Sequence, residues 1–123
     1  MTRDEFERVA QEVFDGLPER FRSAVENVHI VVEERDDAYR RRAAGVRHGS
    51  VLLGLYEGVP ATKRGVDYGA YPVLPDRITL FQHNIESAAT PENTVQQLIR
   101  EVLLHELGHY FGMSEKEIRK AGY

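Results

Sequence analysis

Apolar residues recur every three to four positions at the start of the chain. Phe6, Val9, Ala10, Val13, Phe14 and Leu17 share one helical face. Thr2 and Glu5 form a capping box ahead of them, and Asp15-Gly16 ends the pattern. Pro18 then opens a second short helix that turns Phe21, Ala24, Val25 and Val28 inward. From Val28 to Glu33 the residues become largely β-branched, which predicts a strand. Val51–Tyr56 and Arg77–Gln82 read as two more strands, with Gly54 marking a bulge or a close approach. Between them lie a charged turn at 34–37, a polar stretch at 38–50 and a long loop at 57–76 rich in glycine and proline.

The last third returns to helical spacing. Thr90-Pro91-Glu92 is a helix start: a capping residue, a proline at the first position and an acid in the first turn. Val95, Leu98, Ile99, Val102, Leu103, Leu104, Leu107, Tyr110 and Phe111 cover most of the helix circumference, which predicts a buried helix ending at Gly112. Ser114 and Glu117 form a capping box for a final short helix. The expected fold is α+β: a single domain of residues 1–123, with a small three- to four-stranded sheet packed on N-terminal helices and the buried C-terminal helix.

Composition narrows the chemistry. The 123 residues include no cysteine, which excludes disulfides, a thiol nucleophile and thiolate metal sites. With 16 basic and 20 acidic residues the net charge is −4, which argues against a nucleic-acid-binding chain. A local exception is the basic stretch with Arg40, Arg41, Arg42 and Arg47, which could orient an anionic partner. No run approaches the roughly 20 apolar residues of a membrane span. The charged N-terminus does not read as a signal peptide, so the cytoplasm is the expected location.

In its last turns the buried helix carries two histidines and an acid: His105-Glu106-Leu107-Gly108-His109. Histidines at i and i+4 stand on one face, a spacing that lets two imidazoles grip one zinc ion. Glu106 is rotated by about 100°, beside the ligand face, as suits a general base acting on a water at the metal. A turn at Gly112 would bring Glu115 round as a third ligand and leave a fourth position open, the mark of a catalytic site. Glu117 is the rival third ligand, and its ordinary role is the capping box. Satisfied core histidines are the plain alternative, but they would leave three polar groups on an otherwise apolar helix, each costing about 1–3 kcal/mol if unpaired.

This H-E-x-x-H-x-x-G-x-x-E pattern resembles the active-site helix of zincin metallopeptidases. More closely, the chain resembles a family of small bacterial zincin-like proteins of about this length. The resemblance implies one zinc ion on His105, His109 and Glu115, Glu106 as general base, and a peptide or protein substrate lying extended along a sheet edge. The chain departs from metzincins, which place histidine or aspartate where Glu115 stands and carry a Met-turn subdomain. Only eight residues follow Glu115.

Other residues bear on this site. Tyr68, Tyr71 and Tyr110 are candidates to stabilise an oxyanion, with core packing the plainer role for Tyr110. Glu101, one turn before His105, is a candidate acceptor for a histidine N–H. His29, His48 and His83 have no spacing that links them to the motif. Two further functions stay open: a metal-dependent ribonuclease-like hydrolase, supported by the basic stretch, and a non-catalytic zinc-binding domain.

Overall fold

In the computed structural model, described here for residues 1–24, 28–45, 50–58 and 76–122, six helices and three strands are present. Helix α1 (Arg3–Asp15) is capped by Thr2, whose hydroxyl accepts from the Glu5 N–H at 3.1 Å, one half of the expected box. It buries Phe6 and Ala10 and leaves its charged face to solvent. Helix α2 (Glu19–Ala24) follows Pro18, and strand β1 (Val28–Glu33) has the bounds expected of it.

The polar stretch after β1 is not wholly irregular. It contains helix α3 (Ala38–Ala43), capped by the Asp37 side chain, which accepts from the Arg40 N–H at 2.8 Å. None of its residues is buried, so no apolar stripe announces it. Strand β2 is Gly54–Glu57, shorter and later than the expected 51–56, and β3 is Asp76–Phe81. Most of the long 57–76 connection lies outside the described residues, as do Arg47 and His48.

A mixed sheet in the order β1-β3-β2 results. β1 runs parallel to β3, pairing Val28 with Asp76 through to Glu33 with Phe81. β2 runs antiparallel to β3, pairing Gly54 with Leu80 and Glu57 with Arg77. The central strand is buried along nearly its whole length.

Helix α4 (Gln82–Ala88) follows β3 without a break. Its N-cap is Phe81, which has no side-chain oxygen to offer, so the usual start signal is absent. Helix α5 (Val95–Tyr110) begins later than the expected Thr90. Thr90 closes a turn instead: its hydroxyl accepts from the Asn93 N–H at 2.9 Å. Thr94 is the true cap, in a reciprocal box with Gln97. The expectation of a helix apolar nearly all round also needs correcting. Gln97 and Glu101 are exposed and His105 and His109 half-exposed, which leaves one open stripe at every fourth residue. The other faces of α5 bury Leu98, Ile99, Val102, Leu103, Leu104 and Leu107 against Phe6 and Ala10 of α1, Ile78 and Leu80 of β3, and Ile85 of α4. Helix α6 (Glu115–Lys120) closes the described chain and buries Ile118.

None of the described helices is long and apolar enough to cross a membrane.

Candidate metal centre

The site is built by the end of α5, the turn after it and the start of α6. The helix stops because Gly112 adopts φ +80, a left-handed conformation that glycine enters without strain. Two backbone bonds then fold the chain back: the Gly112 N–H donates to His109 O at 2.9 Å and the Met113 N–H to Gly108 O at 2.9 Å. Ser114 caps α6 through a box with Glu117, whose carboxylate accepts from the Ser114 N–H at 3.2 Å. Glu117 is therefore engaged in capping, and Glu115 can turn toward α5.

Glu115 Oε1 lies 3.0 Å from His105 Nε2 and 2.9 Å from His109 Nε2. The two imidazole rings are 5.2 Å apart and nearly perpendicular. One ligand atom from each of the three side chains falls within 4.8 Å of the others, a grouping that could hold a metal ion. The donor set fits zinc, since imidazole nitrogen and carboxylate oxygen are both ordinary zinc ligands. The carboxyl of Glu115 is pushed upward by partial burial. The adjoining histidines outweigh that and hold its pKa below the usual value.

Glu106 stands beside this group in a different environment. It is only 8% exposed. Its Oε1 accepts the Tyr56 N–H of β2 at 2.8 Å. Burial disfavours its ionised form and raises its pKa, although the Tyr56 N–H and both histidines pull the other way. Tyr56 is in turn held by its hydroxyl, which donates to the buried Asp76 at 2.8 Å, and its ring stands edge-on to Tyr110 at 6.0 Å. No local pattern points to Tyr56, because its link to Glu106 spans 50 positions.

A cleft of about 770 Å³ runs over the group, between β2 on one side and Met113, Ser114 and Glu115 on the other. The remaining candidate residues divide clearly. Tyr110 is 2% exposed and packs in the core against Phe111 and Tyr56, so it takes no part in the open site. Tyr68 and Tyr71 lie outside the described residues. Glu101 is exposed and is joined to neither histidine. His29 and His83 lie on β1 and α4, apart from the group.

Of the basic stretch, Arg40 pairs with Glu33 and Arg41 with Asp36, the latter at 3.0 Å. Their charge is thus largely neutralised within the fold.

A mixed sheet, a long helix bearing histidines one turn apart, and a reversal that returns an acid to them define a metallopeptidase-type architecture. The chain belongs to the zincin-like metallopeptidase family, whose model matches residues 25–123. Its fold is similar to that of a conserved hypothetical protein from Thermus thermophilus, with a TM-score of 0.58 and 20% identity over 98% of each chain. A comparison with curated proteins returned no match.

Proposed function

We propose that the protein is a zinc-dependent peptidase in which His105, His109 and Glu115 hold one zinc ion and Glu106 is the general base. The observation that carries this reading is the convergence of three ligand atoms beside a buried carboxylate. When bound, zinc supplies Lewis acidity toward a carbonyl oxygen and eases loss of a proton from water. Glu106 takes that proton and returns it to the leaving amine. A carboxylate with a raised pKa is the stronger base toward that water, and near neutral pH it stays protonated long enough to deliver the proton to the amine. The Tyr56 N–H holds the carboxylate toward the cleft. An extended peptide or protein segment is the substrate, lying along β2, an edge strand of the three-stranded sheet.

Pairing of Arg40 and Arg41 with acids argues against an RNA substrate. The test is hydrolysis of a mixed peptide pool by the zinc-loaded chain. Activity should vanish with chelator and fall at least 100-fold in Glu106→Gln while zinc stays bound. Hydrolysis that survives both treatments would overturn the proposal.

A further inference from the structure

The open stripe of α5 that carries His105 continues back toward the helix start as Glu101, with the buried Leu98 and Val102 along its edge. Facing it are Val51, Leu52 and Leu53, the three residues that lead into β2. Between them lies a groove of about 330 Å³, with His105 and Glu106 among its lining residues. Ligand pockets begin near 300 Å³, so this one suits a single side chain.

Three observations bear on which side chain. The walls are aliphatic, and Val51 is 54% exposed, one of the few large apolar residues left open among the described residues. A hydrocarbon stem laid in the groove would cover it.

The wall is also held in place before anything binds. The Leu52 N–H donates to Asp36 Oδ2 at 2.8 Å, and the Leu52 carbonyl accepts from Asn84 Nδ2 at 2.8 Å. Asp36 has a side chain only 2% exposed and is itself fixed by Asn84 and by Arg41. A groove already shaped this way costs little ordering on binding.

The third observation is charge. Among the described residues the groove is lined by acids, Glu101 and Glu106, and by no lysine or arginine. Glu101 is exposed, and at 1.5 Å of rise per residue it sits about 6 Å along the helix from His105. A four-carbon stem reaches roughly that far before its ammonium.

We infer that this groove is a specificity pocket for a long basic side chain, lysine or arginine, next to the bond that is cleaved. Its stem lies between Leu52 and Val102 and its cation meets Glu101. The inference rests on the zinc peptidase reading of the adjoining site.

The test compares three zinc-directed ligands on the zinc-loaded full chain by calorimetry: the hydroxamates of N-acetyl-lysine, N-acetyl-norleucine and N-acetyl-glutamate. Norleucine shares the lysine stem and lacks the cation. Lysine should bind up to about five-fold tighter than norleucine, the upper end of what an exposed ion pair contributes, and glutamate weakest. The preference should shrink in high salt. Glu101→Gln should abolish it and Glu101→Lys should reverse it. Equal binding of lysine and norleucine, or a preference that survives Glu101→Gln, overturns the specificity pocket and leaves the peptidase reading standing. If zinc binds but no hydroxamate does, the peptidase reading fails and this inference fails with it.

Discussion

Gly108 and Ile118 lie so close that a methyl group on Gly108 would stand 2.7 Å from Ile118 Cγ1 and 2.9 Å from its Cδ1. This contact seats α6 against α5 and so sets where Glu115 meets His105 and His109.

Gly108→Ala therefore tests a placement. Helix propensity alone favours alanine by about 1 kcal/mol. Overpacking against a fully buried Ile118 should cost about 1–3 kcal/mol and reverse that sign. Zinc affinity, measured by competition with a chromophoric chelator, should fall, because α6 must move to make room. Adding Ile118→Val should recover part of the loss. Unchanged zinc affinity in Gly108→Ala would mean that Glu115 does not depend on this packing.

Zinc should stabilise the fold by mass action. At a free concentration 100-fold above its dissociation constant the gain is about 2.7 kcal/mol. For a chain of this size that raises the melting temperature by roughly 10 °C. His105→Ala, His109→Ala and Glu115→Ala should each lose most of the shift. Glu117→Ala should melt earlier, through loss of the cap, yet keep the shift. The opposite behaviour of Glu115 and Glu117 variants would reassign the third ligand.

Asp36 makes stability depend on pH in a defined direction. Burial works to raise its pKa, but bonds from the Leu52 N–H, Asn84 and Arg41 prevail and hold it below the ordinary 3.8. A group with a lowered folded pKa contributes stability above its unfolded value and loses it as pH falls through the folded one. Thermal melts of the metal-free protein should thus show a decline below about pH 4. Asp36→Asn should cost about 1–3 kcal/mol at neutral pH, because amide hydrogens then face donors. Its acid decline should be shallower. Equal slopes for the two proteins would remove Asp36 as the source.

Gly54 explains how β2 lies close to α5. A Cβ there would stand 2.4 Å from Val102 Cγ1 and 3.1 Å from the Thr79 carbonyl. Gly54→Ala should cost about 1–3 kcal/mol and push the strand outward. The Tyr56 amide, two residues on, should then exchange with solvent faster as its bond to Glu106 lengthens. Amide exchange followed by NMR or mass spectrometry reads this directly. Retained protection at Tyr56 would show that strand and helix tolerate the extra methyl.

Several features follow from residue spacing alone. The spacing of His105, Glu106 and His109 is a property of helix geometry, so three residues place themselves on adjoining faces. The caps at Thr2 and Ser114 use contacts three residues apart: the box closes in both directions at Ser114, whereas at Thr2 only the hydroxyl's bond to the Glu5 N–H forms. The Thr90 start misleads because two threonines each offer a capping oxygen, and the glutamine three residues after Thr94 decides between them. Helix α4 escapes a sequence reading because a helix that begins on Phe81 carries no capping signal.

What the chain by itself determined is whatever depends on neighbours within about a helical turn: the histidine face, the reversal at Gly112 and the apolar stripes. The fold alone decided the rest. It placed β3 between β1 and β2, brought the Tyr56 N–H to Glu106 across 50 positions, and clasped Leu52 with Asp36 and Asn84. Those bonds join distant segments through backbone groups, and every residue but proline carries the same N–H and C=O. No side-chain pattern encodes which of them will meet, so only packing of the whole core selects the partners.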